Sequence, residues 1–117
     1  TYTFPQVEAD PILDVDYPWV SETYTLSGKR HTIVQLNHLD NPKETKFSAY
    51  RDYGRFGAFF VSPIEDGATL TINYRFLIGE GELNSIAQVQ ANWDEFVGSS
   101  KPSDIPPITI SGGGRKL

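Results

Sequence analysis

Trp19-Val-Ser-Glu-Thr-Tyr-Thr-Leu26, then Ser27-Gly28-Lys29, then Arg30-His-Thr-Ile-Val-Gln-Leu36 is the stretch from which the fold is read. Both arms are rich in β-branched and aromatic residues, which fit a pleated, half-buried surface better than a helix. Between them stands a turn in which Gly28 is free to take φ > 0. The arms therefore read as a β-hairpin, Trp19–Leu26 paired with Arg30–Leu36.

Working outward toward the C-terminus, Arg55–Val61 reads as a strand that buries Phe56, Phe59 or Phe60 according to its pleat, and Pro63-Ile-Glu-Asp-Gly67 as the next turn. Ala68–Ile78 alternates strictly. Leu70, Ile72, Tyr74, Phe76 and Ile78 share one face and Thr69, Thr71, Asn73, Arg75 and Leu77 the other, so the first set is expected in the core. Gly79-Glu-Gly-Glu82 ends that strand. Ser85-Ile-Ala-Gln88 then has capping-box spacing, in which the Ser hydroxyl and the Gln side chain satisfy orphan amides at a helix start. Ile86, Val89, Trp93 and Phe96 recur at helical intervals, which predicts an amphipathic helix over Ser85–Val97, closed by Gly98 and anchored by Trp93 and Phe96. The expected fold class is mainly β: an antiparallel twisted sheet of four strands, or part of a β-sandwich, with one C-terminal amphipathic helix.

Toward the N-terminus, residues 1–17 carry Pro5, Pro11, Asp10, Asp14 and Asp16 among scattered apolar residues. They read as an extended acidic lead-in with little regular structure, whose apolar members dock on the sheet. Residues 99–117 form a tail rich in Pro and Gly, in which Ile105–Ile110 could add a short edge strand, since Pro106-Pro107 bars it from a central place. Residues 1–117 are thus expected to be a single β-rich domain or the C-terminal portion of a larger β-sandwich. The chain does not begin with Met, which fits a processed or excised piece.

Composition narrows the function classes. A chain of 117 residues is long enough for one domain with a real core. Seven Phe, six Tyr and two Trp favour a sheet built on large rings. Ten basic against fifteen acidic residues give a net charge of −5. With no basic cluster before Arg115-Lys116, a nucleic-acid partner is not expected. There is no Cys, hence no disulfide framework, thiolate nucleophile or zinc-thiolate site. The apolar runs are far too short for a membrane span, and no cofactor is expected.

Candidate functional residues concentrate between His38 and Phe60. His38, just after a strand and two residues before Asp40, suits a hydroxyl donor or a general base near neutral pH, or a turn-shaping role in which it bonds the backbone. Asp40-Asn41-Pro42 suits either an Asx-turn or ligand contacts. Arg51 and Asp52 are neighbours that would point to opposite faces of a strand, so each needs another partner. Arg51 is either a forked donor for a ligand or a structural cation. Tyr53 beside Gly54 offers a stacking surface or core filling. Two His in total, His31 and His38, are a poor basis for a copper or iron site, and no metal ligand is assigned. His31 reads as a strand residue facing solvent or packed on Tyr24.

Leu36-Asn-His38-Leu-Asp40-Asn41-Pro42, Phe47-Ser-Ala-Tyr-Arg51-Asp52-Tyr53-Gly54-Arg-Phe56-Gly57, Tyr74-Arg75-Phe76 and Gly79-Glu-Gly-Glu82 before a Trp93-containing helix together resemble the C-terminal part of the bacterial PmoA-like family, which carries a "methane oxygenase" label. The resemblance covers Trp19 to Val97. It implies a β-sandwich of the kind found in sugar-processing proteins, an exported (periplasmic or extracellular) location, and a chain that supplies only the last strands. An N-terminal half or a companion chain would then be a partner, beside a carbohydrate ligand.

Three functions follow as expectations. The first is a carbohydrate-associated β-sandwich module that binds or processes a glycan or sugar derivative, with His38, Asp40, Asn41, Arg51, Asp52 and Tyr53 as ligand-binding residues. The second is a structural or assembly module of a larger exported protein. The third, a metal-dependent oxidoreductase, rests on the family label alone. Whether the chain is catalytic is left open by its residues, and no catalytic residue is assigned.

Overall fold

The computed structural model describes residues 1–51, 54–83 and 85–99. Its elements in chain order are β1 (Tyr2–Thr3), β2 (Trp19–Leu26), β3 (Lys29–Asn37), β4 (Lys46–Phe47), β5 (Ala58–Phe59), β6 (Tyr74–Glu80) and α1 (Ile86–Ser99). The hairpin forms as expected. β2 and β3 pair antiparallel from Trp19 opposite Leu36 to Leu26 opposite Lys29, around a two-residue turn. Both turn residues have positive φ, 53° at Ser27 and 77° at Gly28, the sign pattern whose twist matches that of paired strands.

The main sheet is antiparallel throughout, in the order β1-β2-β3-β6, and the one helix among the described residues follows its last strand. The mainly β class with one C-terminal helix therefore holds. Its strand list does not. Arg55–Val61 is no main-sheet strand: only Ala58–Phe59 is extended and paired, with β4, in a separate two-stranded sheet. Its place is taken by β1, at the start of a lead-in expected to be irregular, where Tyr2 lies opposite Glu22 and Thr3 opposite Ser21. Of Ala68–Ile78, the first six residues stand outside the strand, which runs instead from Tyr74 to Glu80.

The larger correction is to the faces. Residues directly opposite in an antiparallel pair share a face. Leu77 lies opposite Val34 and Arg75 opposite Leu36, so these two belong to the face that α1 covers. There Trp19, Val34, Leu36, Val89 and Phe96 form one core cluster, with Leu77, Leu83 and Trp93 against it. Phe76 and Ile78 point the other way and are 50% and 69% exposed, and Leu70 and Ile72 are exposed as well. Within the strand the alternation was real, but Phe76 and Ile78 of the set expected in the core lie on the outer face, where only Tyr74 is half-buried.

A second cluster of Tyr17, Val20, Phe47 and Ala49, with Phe4 and Phe56 against it, covers the β1–β2 half of the opposite face. The lead-in docks there in part: Tyr17 belongs to this cluster with Val20 of β2, and Phe4 and Ala9 pack against it, whereas Val7, Ile12, Leu13 and Val15 are exposed rather than docked. Of the three rings offered for burial, Phe56 packs against this cluster and Phe60 is half-buried, while Phe59 is exposed.

The Ser85 Oγ accepts the Gln88 N–H at 3.1 Å, a helix N-cap. The reciprocal half of the capping box is not made, because the Gln88 side chain donates to Asn92 Oδ1 instead. Gly98 lies inside α1 rather than closing it. Phe96 is buried, whereas Trp93 is half-buried and donates from Nε1 to the Asn37 carbonyl at 2.7 Å. Among the described residues no helix is long and apolar enough to cross a membrane. Ile105–Ile110 lies outside the described residues.

Candidate functional site

The segment between β3 and β6 builds two distinct places. The first is the end of β3. Once the chain leaves Asn37, Asn41 ties it back: Asn41 Nδ2 donates to Asn37 Oδ1 at 2.7 Å and to the Asn73 carbonyl at 2.8 Å, while Asn41 Oδ1 accepts the Asn73 N–H at 2.7 Å. Asn41 is buried, and these bonds use the capacity of its amide. It acts as a clasp between the β3 end and the start of β6, not as an Asx-turn and not as an open ligand contact. Asp16 performs the same service from the lead-in. Its carboxylate accepts the Glu44 and Thr45 N–H groups at 3.1 and 3.0 Å, and Thr45 Oγ1 donates to the Pro42 carbonyl.

His38 is buried at 7% exposure, with its ring edge against Phe96. Its Nδ1 accepts the Asp40 N–H at 3.0 Å. An acceptor nitrogen carries no proton in the neutral ring, so Nε2 bears the hydrogen. Nε2 is buried with no partner. This arrangement favours the donor role over the general base: drawing a proton onto Nε2 would require the tautomer that breaks the Asp40 bond. Asp40 itself points outward, its Oδ2 3.7 Å from His38 Nδ1. A hollow of about 160 Å3 lies here, lined by Tyr17, Asn37, His38, Asn41, Lys43 and Trp93 among others.

The second place lies on the opposite face, where Phe47, Ala49, Phe56 and Ala58 pack with Tyr2 of β1 and Val20 of β2. A hollow of about 240 Å3 is lined by Lys46, Phe47, Ser48, Tyr50, Arg55 and Phe59, with Pro11 and Ile12 from the lead-in. A larger one of about 590 Å3 shares Lys46 and Phe59 and continues to Leu13, Val15, Glu44 and Val61. Arg51 stands beside this region, its guanidinium 4.9 Å from the Tyr50 ring centroid, while the Tyr2 hydroxyl donates to the Arg51 and Arg55 carbonyls. The Arg51 carbonyl also accepts the Gly54 N–H, and Gly54 has φ of 79°. A Cβ there would come within 3.1 Å of Glu22 Oε1, so the turn needs glycine on two counts.

The expected site is thus divided. His38, Asp40 and Asn41 come together at the end of β3. Arg51 belongs with Tyr2, Tyr50 and the loop groove, with no contact to His38, and it is exposed rather than a buried cation. Asp52 and Tyr53 lie outside the described residues. His31 stacks on Tyr24 with centroids 5.7 Å apart. Among the described residues no three His, Cys, Asp or Glu side chains are grouped to hold a metal.

Lys46, Ser48, Arg55 and Phe59 were not among the expected site residues. A signal for part of them existed: Lys46, Ser48 and Tyr50 are spaced by two, which in extended chain brings them to one side.

Two carboxyl and phenol groups near these places are perturbed by burial. Desolvation raises Glu22 above the ordinary carboxylate value and Tyr74 above the ordinary phenol value. At the lead-in, the Tyr17 hydroxyl donates to Asp14 at 2.6 Å and thereby lowers Asp14.

These features define an antiparallel β-sheet domain with one covering helix and a loop groove on its opposite face. The family model that matches spans residues 2–94, every strand and the first part of α1. The chain belongs to that family, described as a family of unknown function (DUF6807). No curated protein and no solved structure matches the chain.

Proposed function

We propose that this chain is a carbohydrate-associated module that binds a glycan on the loop segment between β3 and β6. The observation that carries the reading is the groove itself: exposed rings, Tyr50 and Phe59, stand beside forked and hydroxyl donors, Arg55 and Ser48, in a concavity of ligand size. Sugar rings stack their C–H faces on such side chains and direct their hydroxyls to polar tips, and ligand sites combine apolar walls with a few placed polar groups. The resemblance to the PmoA-like family supports the same class. Of the six residues first expected, Arg51 stands beside the groove with its guanidinium exposed, whereas His38 and Asn41 belong to the separate end of β3.

Arg55→Lys tests the reading. Among the described residues the exposed Arg55 guanidinium lies over the Phe59 ring and pairs with no acid, so melting should change little. Glycan binding should weaken by about 1–3 kcal/mol, the range for losing a charge-assisted hydrogen bond. A lowered melting midpoint with an unchanged glycan titration would sink the proposal.

A second reading, an assembly module, is favoured by β6. No strand pairs with its outer edge among the described residues, and it carries neither Lys nor Pro to block pairing. The Asn73 carbonyl accepts from His38, so the odd-numbered residues turn their backbone groups toward β3 and those of Phe76 and Ile78 face outward. On the same face Gln35 Oε1 and Tyr74 Oη are buried without partners. A companion sheet or a preceding segment would cover both the edge and the bare rings. Both readings are compatible with an exported protein.

A further inference from the structure

The described cations differ in what they face. Lys29 and Arg30, beside the hairpin turn, face acids: Lys29 Nζ lies 3.7 Å from Glu80 Oε1, and Arg30 Nε lies 2.7 Å from Glu82 Oε1. Lys46, Arg51 and Arg55 make no ion pair with a carboxylate among the described residues. Two of these lie over rings instead, Arg51 over Tyr50 and Arg55 over Phe59, the latter at 5.0 Å from the centroid. Lys43, which donates to the Leu39 carbonyl, and Arg75, which lies over the Phe96 ring, also lack an acid among these residues, but in a chain with net charge −5 it is Lys46 and Arg55 that share one groove.

The 240 Å3 hollow gathers Lys46 and Arg55 on a wall with no acidic residue among the described residues. Ser48 lies in the same wall, 6% exposed, and its Oγ has no partner. A buried hydroxyl without a partner is a costly feature that a bound polar group would relieve. The adjoining 590 Å3 hollow supplies an apolar continuation past Phe59 and Phe60 to Val61. Guanidinium groups held over aromatic faces are already oriented, so a carboxylate meets fixed donors.

We propose that the two hollows together bind an acidic oligosaccharide, a uronate-bearing glycan. Its carboxylate lies between Lys46 and Arg55, a sugar face rests on Phe59 or Tyr50, and a ring hydroxyl meets Ser48 Oγ. This rests on the glycan-binding reading above and adds the sign of the ligand's charge. Glu44, on the outer hollow, sets the limit: a second carboxylate placed there would be repelled, which favours a glycan whose acidic unit sits at the inner end.

The test is a calorimetric titration of the chain with a short oligogalacturonate, with a neutral galacto-oligosaccharide of the same length, and with a short polyglutamate peptide. The expected result is binding of the oligogalacturonate that weakens with added salt, with at least about tenfold weaker binding of the neutral sugar and the peptide. Arg55→Gln and Lys46→Gln should each lower that affinity about tenfold, with the circular dichroism and melting of the chain unchanged. Equal binding of the neutral sugar, insensitive to both substitutions, overturns the acidic specificity while leaving a glycan module standing. Equal binding of polyglutamate reduces the groove to a general anion site and overturns the proposal. Binding of the oligogalacturonate unaffected by either substitution places the site elsewhere, and failure of both sugars to bind overturns this proposal and the glycan reading together.

Discussion

On one face of the β2–β3–β6 sheet, Val34 and Leu36 lie beneath Val89 and Phe96 of α1, and Trp19 is wholly removed from solvent. On the other face, the β1–β2 half is covered by Tyr17, Phe47 and Ala49, but the β6 half presents Phe76 and Ile78 with half or more of their surface in water. Both faces carry apolar residues at period two. What separates them is the presence of an amphipathic helix over one and of only a partial loop cover over the other. Apolar patterning therefore identifies a strand without identifying which of its faces the molecule closes.

The strongest way to break this contrast is at its covered side. Trp19→Ala removes a ring that is 0% exposed and whose Nε1 donates to Gln90 Oε1, a direct link from sheet to helix. It should lower unfolding free energy by about 3–5 kcal/mol in urea titration. Phe76→Ala, a ring of similar kind on the opposite face, should cost less than about 1 kcal/mol in the same experiment, since half its surface is already wet. Equal losses would mean that the two faces are closed alike.

Next in size is Asn41→Ala. Its amide clasps the β3 end to the start of β6, and without it Asn37 Oδ1 and the Asn73 N–H lose their partner, while the Asn73 carbonyl keeps only the His38 N–H. A loss of about 1–3 kcal/mol is expected, the cost of leaving buried polar groups unmade. A change near zero would show that water replaces the clasp and that the strand start needs no pinning.

That clasp also marks what the sequence could and could not tell. The hairpin was legible because both arms have β-forming residues and Gly28 permits the positive φ of the turn. The helix was legible from the recurrence of Val89, Trp93 and Phe96. By contrast, Asn41 reaches Asn73 across 32 positions, and no local pattern signals such a bond. The same limit explains the inverted face of β6. Leu70, Ile72, Phe76 and Ile78 outnumber Leu77 as apolar residues, yet Leu77 is the one that meets α1, because register with Val34 decides the side. Of the site, the loop was located correctly as the place of polar and aromatic side chains. Its division between the His38 end and the Arg55 groove follows from where the loop crosses the sheet, which depends on the lead-in and β1.

The bare side has its own test, smaller in stability and larger in association. β6 edges from two copies can pair antiparallel about Leu77, which sets Phe76 of one copy beside Ile78 of the other on the bare face. Light scattering over a concentration series should show association that Phe76→Lys suppresses, since a charge there resists edge pairing. A monomer at all concentrations, with and without the substitution, would remove self-pairing and leave a different chain or segment as the cover.

The smallest expected effect concerns Glu22, on the partly covered half of the bare face and opposite Tyr2. Burial raises its carboxyl above the ordinary value of 4.5, because the charged form loses water there. A carboxyl whose folded pKa is raised binds more protons folded than unfolded in the window between the two values. Stability therefore falls as pH rises from about the unfolded value through the folded one. Glu22→Gln removes that penalty. Its thermal midpoint should exceed that of the parent at neutral pH, and the advantage should shrink as pH drops and vanish below the ordinary carboxylate value, where the parent is itself protonated. If the advantage is instead constant with pH, the gain comes from packing of the amide rather than from desolvation. A variant less stable than its parent at neutral pH would mean that the Glu22 charge is compensated there, and that this half of the face is wetter than the geometry around Tyr2 and Gly54 implies.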